Sequence, residues 1–154
     1  MLKVILDTNI LIDFALRRMP HFESARKVML LGYLREAELW IGSSQISDLI
    51  YVMTEGGKPQ LNERAQDSLG KLLQFLRVYA TDEEDCRAIV NSSWKDLEDA
   101  LVHQSALGVK ADALLTRDKE GFERSAIRTF NYEGFFSYLK DNLGFDYELI
   151  FGSF

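Results

Sequence analysis

Lys3-Val4-Ile5-Leu6-Asp7-Thr8-Asn9-Ile10-Leu11-Ile12 is the stretch whose reading decides the fold. Val4, Ile5 and Leu6 form a continuous apolar run, the pattern of a strand buried on both faces of a parallel sheet. The run stops at Asp7-Thr8-Asn9. Thr8 and Asn9 are good helix N-caps, and Ile10, Leu11, Phe14 and Ala15 follow at helical spacing. A polar triplet therefore stands where a central strand hands over to a helix. In open α/β sheets, ligands bind at that edge, outside the carboxyl ends of the strands. A carboxylate buried there is costly unless paired or bound to a metal, which makes the partner of Asp7 the question to answer.

The alternation continues outward from this stretch. Pro20-His21-Phe22-Glu23 opens a second helix, with Phe22, Ala25, Val28, Met29 and Leu31 as its apolar stripe. Leu39-Trp40-Ile41 reads as the second strand; Gly42-Ser43-Ser44 ends it, and Ile46, Leu49, Ile50 and Met53 carry a third helix. Gly56-Gly57-Lys58-Pro59 is a loop. The spacing predicts a helix over 64–76, a strand at Val78-Tyr79, and a capping box at Thr81-Asp82-Glu83-Glu84 opening a helix through Val90. Another helix is expected from Asp96 to Leu107, closed by Gly108 as its C-cap. Ala113-Leu114-Leu115 reads as a fourth strand, Ile127 as the start of a fifth, and Phe135 to Leu143 as a final helix. The aromatic tail Phe151-Gly152-Ser153-Phe154 is left unassigned. Strands alternating with helices predict a three-layer α/β/α sandwich around a central, mainly parallel sheet, as one domain over 1–154.

Composition sets the class. The 154 residues, 47% hydrophobic and 27% charged, describe a globular chain with a full core rather than a disordered one. Cys86 stands alone, which excludes an internal disulfide and fits a reducing compartment. Asp7 interrupts the N-terminal apolar residues too early for a secretory signal, and no window approaches a membrane span. The expected location is the cytoplasm, with no membrane partner. A net charge of −6 argues at first against nucleic acid, whose binders carry basic footprints. That objection weakens if several carboxylates are gathered around a cation.

Such carboxylates fall at element junctions. Asp48 lies early in the helix after the second strand, and Asp96 and Asp99 are three apart on one helix face. Asp118 closes Leu114-Leu115-Thr116-Arg117-Asp118, so it repeats the Asp7 arrangement of apolar strand, Thr and Asp. Two such strands side by side bring both carboxylates to one edge. Packed carboxylates repel, so the cluster makes physical sense around a divalent cation; an all-oxygen site suits Mg²⁺ or Mn²⁺, and His21 and His103 form no ligand pair.

Each acid also has an ordinary reading. Asp7 can cap the first helix, Asp48 can favour a helix dipole, and Asp96 can be a capping partner of Ser93. Asp99 can be a solvated helix residue beside Glu98, and Asp118 a turn residue before Lys119-Glu120-Gly121. What lifts them above these readings is their shared end of the sheet.

These residues carry a resemblance. Val4-Ile5-Leu6-Asp7-Thr8-Asn9, Ser47-Asp48-Leu49-Ile50-Tyr51, Asp96-Leu97-Glu98-Asp99-Ala100-Leu101 and Leu114 to Phe122, in this order, resemble a PIN-domain ribonuclease, the fold of VapC-type toxins. The resemblance implies an acidic quartet of Asp7, Asp48, Asp99 and Asp118 holding Mg²⁺ or Mn²⁺. Asp7 and Asp99 would be the central metal ligands, and Asp118 a ligand directly or through water. Asn9 and Thr116 would orient ligands or water, while Asp96 belongs to the motif without needing to touch metal. Many relatives place Glu where this chain has Asp48, a side chain shorter by one methylene. The implied reaction is hydrolysis of RNA phosphodiesters by metal-activated water; homodimerisation and an antitoxin partner are implied likewise. Arg17, Arg18, Arg117, Lys119 and Arg124 can hold RNA phosphates or simply be solvated, and Trp40 and Trp94 can stack bases or pack in the core.

Rival classes fit less well. A haloacid-dehalogenase-type phosphatase wants Asp two residues after Asp7, where Asn9 stands, and a receiver domain wants an acidic pair that the first strand lacks. The alternative from another class is a catalytically weak or inactive PIN fold that binds RNA or protein.

Overall fold

The computed structural model describes residues 1–151, except the Phe151 side chain, so most of the aromatic tail lies outside the described residues. Five strands, β1 (Leu2–Leu6), β2 (Ala37–Gly42), β3 (Leu76–Tyr79), β4 (Ala113–Leu115) and β5 (Thr129–Phe130), form one parallel sheet in the order β3-β2-β1-β4-β5. The helices are α1 (Thr8–Ala15), α2 (Phe22–Tyr33), α3 (Ser43–Met53), α4 (Asn62–Leu72), α5 (Glu83–Val90), α6 (Leu97–Val109), α7 (Tyr132–Leu143) and α8 (Tyr147–Phe151). The expected α/β/α architecture is what folds.

Side-chain alternation builds the layers, because successive residues of a strand point to opposite faces. Val4, Leu6, Leu39, Ile41 and Leu115 pack on one face with residues from α1, α2, α3 and α7. Ile5 and Leu114 pack on the other with Val102 and Ala106 of α6 and with Phe122. No helix among the described residues is long and apolar enough to cross a membrane.

Sheet order also fixes the location of the site. From β1 the chain moves outward one way to β2 and β3, then crosses to β4 and β5 on the other side. The crevice between β1 and β4 is therefore the switch point, where open α/β sheets place ligands. Leu6 pairs with Leu115 in register, and the Asp7 amide donates to the Leu115 carbonyl at 2.9 Å. Asp7 and Thr116 thus emerge side by side.

Several boundaries differ from the sequence reading. The helix expected over 64–76 stops at Leu72, and Leu76 opens β3 instead, buried in the sheet. Gly108 is not a C-cap. It lies inside α6, pressed against the Tyr79 ring so closely that a Cβ has no room there, and Lys110 closes the helix at φ 56°. The capping box of α5 is Asp82 with Asp85, one residue beyond the expected Thr81 with Glu84. The Thr81 amide instead donates to Ser43 Oγ at 2.9 Å. The fifth strand begins at Thr129 rather than Ile127, and α7 starts at Tyr132 behind the cap Asn131.

Candidate metal centre

Asp7 is the N-cap of α1, in place of the expected Thr8, which is the first helical residue. Its Oδ1 accepts the Thr8 amide at 2.7 Å and its Oδ2 accepts the Thr116 hydroxyl at 2.7 Å. The carboxylate is 5% exposed. Burial raises its pKa above the usual range for Asp, against the two hydrogen bonds, which pull it down.

Thr116 holds the crevice together. Fully buried, it donates to Asp7, and its hydroxyl oxygen accepts the Asp118 amide at 3.0 Å. Asp118 in turn takes the Gly121 amide on Oδ1 at 3.2 Å. A Cβ added at Gly121 would lie 2.8 Å from Asp99 Oδ2 and 2.9 Å from Asp118 Oδ2, so those two oxygens approach one point. Only glycine leaves that space open.

Asp96 caps α6, accepting the amides of Glu98 at 2.9 Å and Asp99 at 3.1 Å. The capping pair with Ser93 does not form; the Ser93 hydroxyl accepts from Arg124 at 2.9 Å. Asp99, one turn into α6, has a pKa pushed up to about 7, first by burial, then by the charges of Asp7, Asp96, Asp118 and Glu98. Asp48, half-buried on α3, is raised by burial alone.

All of these line one cleft of about 680 Å³: Asp7, Asn9, Asp48, Asp96, Asp99 and Asp118 contribute to its walls, with Thr116 buried beneath Asp7. Among the described residues, no three Asp, Glu, His or Cys side chains are drawn together tightly enough to hold a metal ion as they stand. The donor chemistry itself suits a hard cation, since the acidic groups on the wall are carboxylates and it carries no Cys, His, Lys or Arg.

Sequence reading missed three contributors. Gln45, 1% exposed, donates to the Leu6 carbonyl at 2.8 Å and the Thr8 hydroxyl at 3.2 Å while accepting the Gly42 amide at 2.7 Å, tying α3 to the end of β1. Its place three residues after Gly42 is the signal, because a Gln at that position reaches back to the cap amide. Tyr51, one turn beyond Asp48, also lines the cleft. Asp13, fully buried on α1, sits 2.9 Å from Arg117 Nε and accepts the Tyr132 hydroxyl at 2.9 Å. The Arg117 contact is an ion pair without an aligned hydrogen bond. Arg117 therefore turns away from the cleft, and Arg124 is engaged by Ser93. Trp94 lies against His103 with ring centres 4.9 Å apart and planes tilted by 36°, and meets Phe122 edge-on, while Trp40 packs against the second core cluster. Neither tryptophan faces the cleft wall.

The comparisons with known proteins bear on the fold and the family. A family model described as PIN domain matches residues 3–120, and the chain belongs to that family. No curated protein matches it in sequence. Among solved structures, it is similar to VapBC2 from Rickettsia felis bound to a DNA fragment from their promoter, at 18% identity over 84% of this chain and 98% of that one, TM-score 0.63. It is similar to DNA-bound VapBC from Salmonella typhimurium, at 21% identity over 86% and 99%, TM-score 0.62. VapBC-1 from nontypeable Haemophilus influenzae gives 20% identity over 86% and 99%, TM-score 0.64. At these identities the likeness is one of fold.

Proposed function

We propose that this chain is a metal-dependent endoribonuclease that hydrolyses RNA phosphodiester bonds with Mg²⁺ or Mn²⁺. The observation that carries the reading is the meeting of Asp7, Asp99 and Asp118 on one cleft at the sheet's switch point, where burial first, and then the neighbouring carboxylates, make Asp99 hold its proton more tightly. A divalent cation relieves that repulsion, and an oxygen-rich site is the one Mg²⁺ and Mn²⁺ take. Asp7, Asp99 and Asp118 would hold the ion. When bound, it supplies a water of lowered pKa and stabilises charge on the phosphate oxygens.

The chain's own residues set the rest. Thr116 fixes the Asp7 carboxylate, whose two oxygens are aimed by the hydroxyl and the Thr8 amide. Gly121 keeps Asp118 and Asp99 free to converge. Asp99, whose pKa is pushed up to about 7 by burial and the neighbouring carboxylates, would ligate the ion in its deprotonated form. Asp48 lines the same cleft and would orient water rather than ligate, since its side chain is a methylene shorter than Glu. Asn9 lines the same wall beside Asp7 as a neutral orienting group.

The PIN family and the VapBC structures support a toxin-like role with an antitoxin partner, and a homodimeric state is proposed alongside it. The test is incubation of purified protein with RNA and Mn²⁺, beside a chelated sample and the Asp7→Asn variant. Cleavage by wild type alone supports the reading. Equal, negligible cleavage in all three returns the chain to the alternative, a PIN fold that binds RNA or protein without cutting.

A further inference from the structure

The acidic cleft alone repels a polyanion, so an RNA substrate needs contacts beyond it. On α3, Tyr51 lies one turn past Asp48 on the same helix face and lines the cleft, yet its residue is 67% exposed. An aromatic ring standing open at the rim of a polar cleft offers a face on which a base can stack. The next α3 residue, Val52, forms part of both this cleft and a second groove between the ends of α1, α3 and α4. The two grooves therefore adjoin at Val52.

That second groove carries the cations the first one lacks. Arg17, Arg64 and Lys71 line it, together with Glu55 and Asp67. Asp67 is engaged by Lys71 at 3.0 Å, and Glu55 by Lys58 at 3.3 Å. Arg17 and Arg64 are left exposed with no carboxylate partner among the described residues; the Arg17 guanidinium lies 5.7 Å over the Phe22 ring, a cation–π contact that positions the charged group without neutralising it. Of the cations near the cleft, Arg117 and Arg124 are already committed to Asp13 and Ser93.

We infer that these two grooves form one track for single-stranded RNA, with a base stacked on Tyr51 and the flanking phosphates held by Arg17 and Arg64. A duplex is excluded from the stacking contact, because its bases already stack on one another, so the track selects unpaired RNA. The inference takes its ligand class from the ribonuclease reading but stands on binding, not on cleavage.

The test is fluorescence anisotropy of a labelled oligouridylate with Ca²⁺ in place of Mg²⁺, for wild type, Tyr51→Ala, Tyr51→Phe and the Arg17→Gln/Arg64→Gln pair. All three positions are exposed, and circular dichroism verifies each fold. The expected result is binding about ten-fold weaker for Tyr51→Ala and close to wild type for Tyr51→Phe. The arginine pair lowers the slope of log affinity against log salt by about one per arginine. A duplex of the same length binds less tightly. Wild type that fails to bind, that binds duplex equally well, or that binds independently of Tyr51 and both arginines overturns the track; in the last case the surface belongs to a protein partner. Binding that follows the expected pattern without any cleavage in Mn²⁺ keeps the track and overturns the ribonuclease reading.

Discussion

The Thr116 hydroxyl donates to Asp7 Oδ2 over 2.7 Å, joining the ends of β1 and β4 across the switch point. The same oxygen takes the Asp118 amide, so one hydroxyl positions two of the four acids. Thr116→Val removes both bonds while preserving shape, leaving a buried carboxylate oxygen and an amide unpaired. The expected cost is about 1–3 kcal/mol of stability with a large loss of cleavage, and Thr116→Ser recovers much of both. Urea denaturation beside a cleavage assay measures the two effects; unchanged values for Thr116→Val contradict the role.

Gly121 gives a more selective probe. An alanine Cβ there meets Asp99 Oδ2 and Asp118 Oδ2 below 3.0 Å, and both are ends of side chains that can swing away. Gly121→Ala should leave the unfolding midpoint nearly unchanged yet weaken Mn²⁺ binding about ten-fold, the scale seen when groups that orient metal ligands are disturbed. Calorimetric titration with Mn²⁺ reads this directly.

Asp13 lies outside the cleft but anchors the segment that carries Asp118. It is fully buried and shared by Arg117 and the Tyr132 hydroxyl. Asp13→Ala strands both partners, and removing one member of a buried pair costs about 3 kcal/mol. Chemical denaturation at neutral pH checks the loss, and an unchanged midpoint would show that the Asp13 contacts add nothing.

The acids also make stability depend on pH. Asp99 titrates near 7 in the folded chain against 3.8 as its ordinary value, and Asp7 is raised in the same direction. Between those values the folded state binds more protons than the unfolded state, so metal-free stability falls as pH rises from about 4 through 7. Saturating Mn²⁺ should reverse the slope, because the ion binds the deprotonated acids of the folded state alone. Thermal unfolding across that range, with and without Mn²⁺, tests the sign.

Much of this was legible in the sequence for a simple reason. Val4-Ile5-Leu6 and Ala113-Leu114-Leu115 are short apolar runs of the kind a doubly covered strand makes, and the acids follow such runs or open helices next to them. What was illegible depended on tertiary contact. Nothing local ends α4 at Leu72 or keeps Gly108 helical; Leu76 joins the sheet, and Gly108 is small because Tyr79 packs on it. The two-residue β5 is too short to leave a pattern. Arg117 was open between a phosphate contact and a solvated surface, and its pairing with Asp13, far away in the sequence, had no local signal.

The central claim is that Asp7, Asp99 and Asp118 together would hold a divalent cation, and Mn²⁺ titration calorimetry of wild type beside Asp99→Asn tests it most directly. The account predicts saturable Mn²⁺ binding by wild type, with proton release near pH 7, and loss of most of that affinity in Asp99→Asn. Identical titrations for the two proteins, or no binding by folded wild type, would contradict it.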